Sequence, residues 1–326
     1  IILVFIAYAF SDLSIVRVRV DQDEKTQIVL KKAKQAVIDY ALTYADRVAG
    51  NDYGVLPCPE TFLNGNDGNM SGSCGIENVN SLGWMPWRSL DLMNLKDDSG
   101  TCLFYAVSGT YKNGGSQADM VNEDSYGMLR VVNNAGAVIQ GLDDEDRAVA
   151  LVIAPGSSLP GQTRNPVIDS SCGRDYGNVS AYLEGDGATD NSTLSLLEDT
   201  VDDFIHATAT SEIEAVPYND KFLTITRKEI WDAIVTRPDF IQKMENLTHG
   251  LAMCLAEYSK LTSHRRLPWP VLTNRGARTN YRENNTYVDT HRADVNFGRS
   301  SGRSPYNLSN YNATISPPVD SDERFL

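Results

Sequence analysis

The paired chemical motifs that mark common enzyme and metal sites are missing from this sequence. Its five cysteines, at positions 58, 74, 102, 172 and 254, include no CxxC spacing, which removes the zinc-ribbon and thioredoxin-like readings. Its four histidines, at 206, 249, 264 and 291, form no HExxH or HxH pattern, so a catalytic zinc would have no recognisable ligand set. Ser108 and Ser157 lie near glycines, yet there is no GxSxG elbow and no His/Asp partner to nominate. Basic charge is scarce: 29 Lys and Arg against 43 Asp and Glu give a net −14, which repels phosphate backbones and disfavours nucleic acid as a partner. Glycine and proline, at 24 and 13, are near ordinary use, which excludes a collagen-like chain. The apolar run Ile1 to Phe10 covers about 15 Å as a helix, half of a hydrocarbon core of about 30 Å, so by itself it does not span a bilayer.

What is present begins with that run. From Ile1 to Gly50 the chain passes from wholly apolar to amphipathic with no loop signal between. From Thr26 on, Leu30, Ala33, Val37, Tyr40, Ala41, Tyr44 and Val48 recur at the three-and-four spacing of one helix face, separated by Lys31, Lys32, Lys34, Gln35 and Asp39. Gly50-Asn51-Asp52 supplies a stop. A continuous helix of this length would measure about 73 Å, more than a small globular domain needs. Two readings compete: a retained membrane or filament-core helix, and a buried core helix of a soluble protein.

At 326 residues and 41% hydrophobic content the remainder is long enough for a sizeable core. Residues 64–75 are a Gly/Asn/Asp/Ser loop, and short apolar stretches predict strands at 101–108, 128–132, 148–154 and 179–183. Thr226 and Glu229 have capping-box spacing ahead of an apolar stripe from Ile230 to Leu255, with a kink or restart expected at Pro238. The fold class is α+β: a long N-terminal helix at 1–50, an antiparallel sheet head with a second helical segment at 51–270, and an irregular extension at 271–326. That extension carries Arg275, Arg278, Arg282, Arg292, Arg299 and Arg303, and it is expected to dock on a neighbouring copy. Several disulfide connectivities are open on sequence alone. Cys58–Cys74 is preferred because the pair flanks the Gly/Asn-rich loop, Cys102–Cys172 is the second choice, and Cys254 is left as a buried thiol.

In order along the chain stand KKAKQAVIDYAL, LPCPE, GWMPWRSLDL, CLFYAVS, ALVIAPGSSLPGQTRN, AYLEG, NDKFLTITRKEIWDAI and RLPWP. This series, over roughly residues 30–270, resembles large bacterial prepilin-like proteins of the type IV pilus and type II secretion class. The resemblance implies a structural subunit cleaved by a prepilin peptidase and held in the inner membrane by its first helix. Pilus assembly machinery would then pack it with other copies into an extracellular filament. Ile1, Ile2, Leu3, Val4, Phe5, Ile6, Tyr8 and Phe10 would form the filament core, with Asp12 and Arg17 paired between chains. Such pilins usually keep a glutamate at mature position five, where this sequence has Phe5; either the mature start is expected upstream of Ile1, the preferred reading, or this family does without the glutamate. A minor or tip pilin, or a pseudopilin, acting in adhesion or assembly priming, is the alternative; a membrane-anchored hydrolase lacks a catalytic constellation.

Three local patterns complete the reading. Glu184, Asp186 and Asp190 place oxygen donors in one loop that would suit calcium, but the EF-hand spacing is absent and a solvated acidic turn is the plainer account, so no cofactor is expected. Trp84, Trp87, Trp269 and Tyr182 are expected to pack the head rather than stack on sugars. The sequons at Asn178, Asn191, Asn284, Asn307 and Asn312 are expected to be incidental to an Asn/Ser/Thr-rich surface.

Overall fold

The computed structural model describes residues 2–48, 53–61, 67–72, 74–76, 78–112, 121, 125–164, 172, 177–185, 189–206, 218–261, 269–270 and 324–325. Side chains of these residues are described from residue 21 onward, except at 254, 255, 257–259, 261, 269–270 and 324–325. The chain divides into two compact units, Ile1–Ile234 and Val235–Leu326.

In the first unit, helix α1 runs from Ile2 to Arg47. Neither proline nor glycine interrupts it, so nothing in the sequence removes a backbone donor or frees the chain from helical geometry. Its described length has two characters. Residues 21–25 are exposed, whereas Leu30, Ala33, Val37, Tyr40, Ala41 and Tyr44 are buried against the sheet, where α1 packs on two strands, β5 and β7, defined below. The change falls at Thr26: its buried hydroxyl donates to Asp98 Oδ1 at 2.7 Å and accepts from the Asp98 N–H at 3.2 Å.

The fold is α+β, with three α-helices among the described residues and a seven-stranded sheet curled into a half-barrel. Its strands are β1 (Ser81–Trp84), β2 (Phe104–Val107), β3 (Leu129–Val132), β4 (Val138–Gln140), β5 (Ala148–Ala154), β6 (Asp202–Ile205) and β7 (Lys221–Thr226). β5, AVALVIA, is central and wholly buried: it pairs with β2 and β7 along its length and meets β3 at Ala148. A continuous apolar strand is what burial on both faces requires. One face of the sheet is covered by α1; the other holds a core built on Trp84, Phe104, Leu151, Ile153, Tyr182 and Phe204.

Two expectations need correction. The sheet is mixed rather than antiparallel, because β3 and β6 run parallel, with Leu129 opposite Asp202 and Val132 opposite Ile205. A parallel pair needs a long crossover, which residues 133–201 provide. The expected strand at 179–183 is a single 3-10 turn, Val179–Ala181. Arg164 takes the carbonyls of Ala181 and Tyr182, at 2.8 and 3.1 Å, so acceptors that a strand ladder would use are already committed.

Helix α2 (Arg227–Ile234) follows β7 directly. Its capping box forms: the Thr226 N–H donates to Glu229 Oε2 at 2.9 Å, and the Glu229 N–H to Thr226 Oγ1 at 3.3 Å. Ile230, Trp231 and Ile234 are its buried face. The second unit contains helix α3, Pro238–Leu261, which restarts at the proline, where a missing N–H has no intrahelical partner to lose. The extension at 271–326 lies outside the described residues except for Arg324–Phe325, which pair in parallel with Trp269–Pro270.

Candidate functional site

The residues that the sequence offered for catalysis are structural. Ser108 is buried and its hydroxyl accepts from the Met128 N–H at 3.0 Å, with Thr110 Oγ1 beside it, which closes a turn rather than activating a nucleophile. Ser157 gives its carbonyl to the Asn219 amide. His206 lies edge-on to Phe222, and burial lowers its pKa, while His264 and His291 lie outside the described residues. Trp84 and Tyr182 are core residues: Trp84 stacks on Phe104 with centroids 4.0 Å apart and meets Tyr182 edge-on at 5.0 Å.

The calcium loop has a different use. The Glu184 carboxylate is buried and turned into the head, where Oε1 accepts from Gln162 Nε2 at 2.9 Å and Oε2 from the N–H groups of Asn219 and Asp220 at 3.1 and 3.0 Å. Asp190 Oδ1 accepts from the Ser192 N–H and hydroxyl, and Asp186 lies outside the described residues. Among the described residues no cluster of His, Cys, Asp or Glu is arranged to hold a metal ion.

Glu184 belongs to a closed pair with Asp220. The Asp220 Oδ2 accepts from the Glu184 N–H at 3.1 Å and from Asn191 Nδ2 at 3.0 Å, while its Oδ1 is buried with no donor aimed at it. Burial, then the charge of Glu184, holds the Asp220 carboxyl well above the usual range. Burial likewise raises the pKa of Glu184, so both carboxyls of the pair are shifted towards the neutral form. Arg164 stands close by, its guanidinium 4.7 Å from the Tyr182 ring centroid, with Nη1 donating to Gly156 O at 2.6 Å. Both carboxyls are sealed from solvent, so they clasp the 182–191 loop to the start of β7 instead of meeting a substrate. Asn191 is part of the same clasp and has no exposed surface, which closes its sequon to modification.

Two more buried polar groups, Lys112 and Asn80, escaped the sequence reading. The Lys112 ammonium donates to Cys74 O at 2.8 Å, Val79 O at 2.6 Å and Ser81 Oγ at 3.2 Å. Asn80 donates to Met128 O, Thr200 O and Asp202 Oδ2 and accepts from the Gly109 N–H, tying the starts of β1, β3 and β6 together. No local pattern marks either residue, because every one of these partners lies at least 29 residues away in sequence.

The cysteines meet as two pairs. Cys58 is bonded to Cys74 with Cα atoms 5.5 Å apart, and Cys102 to Cys172 at 5.3 Å. Within the first loop Gly68 has φ +78° and lies against the Trp87 ring so closely that a Cβ would meet it at 2.2 Å. Cys254 is on α3, and its side chain lies outside the described set.

The remaining candidate is a surface. α1 is fastened to the head by buried residues from Thr26 to Tyr44 and by an ion pair between Asp23 and Lys221 of β7, and its residues 21–25 stand exposed. The side chains of Ile1, Ile2, Leu3, Val4, Phe5, Ile6, Tyr8 and Phe10, and those of Asp12 and Arg17, lie outside the described set; the backbone from Ile2 is helical. No helix among the described residues is long and apolar enough to cross a membrane. Comparison with family models, with curated proteins and with solved structures finds no match to this chain.

Proposed function

We propose that this chain is a structural subunit of an extracellular, type IV pilus-like filament, polymerising with copies of itself through the apolar start of α1. The observation that carries the reading is the division of one helix. Its C-terminal part is buried on the sheet from Thr26 to Tyr44, while residues 21–25 are exposed and lead back to a wholly apolar ten-residue sequence. Apolar surface of such a sequence, if left in water, is unfavourable at about 25 cal/mol per Å². Neighbouring copies packing it into a shared core would remove that cost.

A disulfide-stapled head on the outside suits an oxidising exterior, where such bonds persist. Before assembly the same apolar end would lie in the inner membrane, within reach of the assembly machinery. Electron microscopy of the purified chain is expected to show helical filaments, and Ile6→Asp is expected to abolish them while leaving the thermal transition of the head within about 1 kcal/mol of the parent. Filaments that persist in the Ile6→Asp chain would refute the reading.

A further inference from the structure

The Asn-x-Ser/Thr triplets of the chain are not equivalent in the fold. Asn284, Asn307 and Asn312 lie outside the described residues. Asn191 has no exposed surface, and its Nδ2 is committed to Ile205 O and Asp220 Oδ2. Asn178 is the reverse case. It opens the 3-10 turn Val179–Ala181, and Gly177, Asn178 and Ser180 are all exposed.

The turn that carries this triplet is held from beneath. Val179 packs against the head core, Ala181, Tyr182 and Leu183 are buried in it, and Arg164 donates to the carbonyls of Ala181 and Tyr182. Earlier in the chain, Cys172 is bonded to Cys102. Within the triplet the Ser180 hydroxyl donates to Asn178 Oδ1 at 2.8 Å, and among the described residues nothing else binds that carboxamide, so its Nδ2 protons are uncommitted. A carboxamide nitrogen is a weak nucleophile because its lone pair is delocalised towards the oxygen; it gains strength as a proton leaves and charge gathers on that oxygen. Ser180 is a donor already aimed at that charge. A sequon on an exposed turn of a disulfide-bonded head is the setting in which an N-linked sugar is carried.

We propose that Asn178 is an N-glycan acceptor on the head, taking a sugar activated as an anomeric diphosphate ester. The step joins Asn178 Nδ2 to the anomeric carbon and breaks the bond from that carbon to the diphosphate oxygen. The diphosphate leaves with the bonding pair, one Nδ2 proton passes to a base of the transferring enzyme, and nothing is oxidised or reduced. The inference rests on the extracellular placement proposed above for the head.

Peptide mapping by mass spectrometry of the chain isolated from the cells that make it tests the assignment. The peptide with Asn178 is expected to carry a glycan and the peptide with Asn191 to be bare. Ser180→Ala should abolish the modification and Ser180→Thr should retain it, with the thermal transition of the head unchanged in both. A bare Asn178, or a glycan there that survives Ser180→Ala, would overturn the proposal. Unglycosylated full chain, incubated with fractions of the same cells, separates the donors. Transfer to Asn178 by the soluble fraction with nucleoside diphosphate sugars assigns a nucleotide-linked donor; transfer only by membranes bearing lipid diphosphate sugars assigns a lipid-linked one; transfer by neither would overturn the proposal. Filaments that form with Asn178 bare in the native chain would refute this inference alone, whereas a glycan on Asn178 of a chain that forms no filaments would refute only the filament reading.

Discussion

Lys34 on α1 and Glu229 on α2 are joined by an ammonium–carboxylate contact of 2.5 Å, and the same ammonium donates to Thr224 O in β7 at 2.7 Å. Glu229 uses its other oxygen for the cap of α2, so one carboxylate both starts one helix and holds another against the sheet. Both side chains are partly solvated, which limits the value of the ion pair itself. Glu229→Ala is expected to cost about 1–2 kcal/mol in urea unfolding, chiefly through the cap. Glu229→Gln, which keeps an oxygen for the cap, should cost about half as much. Equal losses would show that the ion pair, and not the cap, carries the effect.

The Glu184–Asp220 pair gives the head a pH dependence of definite sign. Its folded-state pKa values are raised, so between about pH 4 and those values the folded chain binds a proton that the unfolded chain has released. Stability contributed by that proton is complete below pH 4 and is lost as the pH rises through the folded values. Asp202, also raised by burial, adds a slope of the same sign. Asp220→Asn reproduces the protonated shape and is expected to flatten the decline above about pH 4 without lowering stability at pH 7. Asp220→Ala should cost about 2–4 kcal/mol, since the Glu184 N–H and Asn191 amide lose their acceptor. An unchanged pH slope in Asp220→Asn would place the proton elsewhere.

The two disulfides close loops of different length, with sequence separations of 16 and 70. Loop-closure entropy predicts losses of about 3 kcal/mol for removing Cys58–Cys74 and about 4 kcal/mol for removing Cys102–Cys172. Paired Cys→Ser substitutions compared by thermal unfolding check the order. Non-reducing mass spectrometry should show both bridges, with Cys254 left as a thiol. Five free thiols would remove the argument for an oxidising compartment.

How much of this could be read from the sequence depended on how local the cause was. The α1 face from Leu30 to Tyr44, the buried strand AVALVIA and the Thr226/Glu229 cap each rest on neighbours within a few residues and form as expected, whereas Val48, placed on the same face, lies past the helix end and is exposed. β7, KFLTIT, is absent from the strands that the sequence predicts: only Phe222 and Ile225 are buried, which breaks the two-residue alternation of a half-exposed strand. At 179–183 the apolar run looked strand-like, but a guanidinium from Arg164 decides its conformation. The Glu184 loop was read as a solvated turn because the groups that bury it, Gln162 and Asp220, are 22 and 36 residues away.

The central claim is that the exposed part of α1 is an assembly element, and its most direct test is a helical reconstruction of filaments grown from the purified chain. The account predicts that residues 1–25 of every copy lie along the filament axis, packed on the same residues of neighbouring copies. The head, still fastened to α1 from Thr26 to Tyr44, should face outward. A reconstruction with the apolar stretch folded back on its own sheet, or with heads rather than helices on the axis, would contradict it.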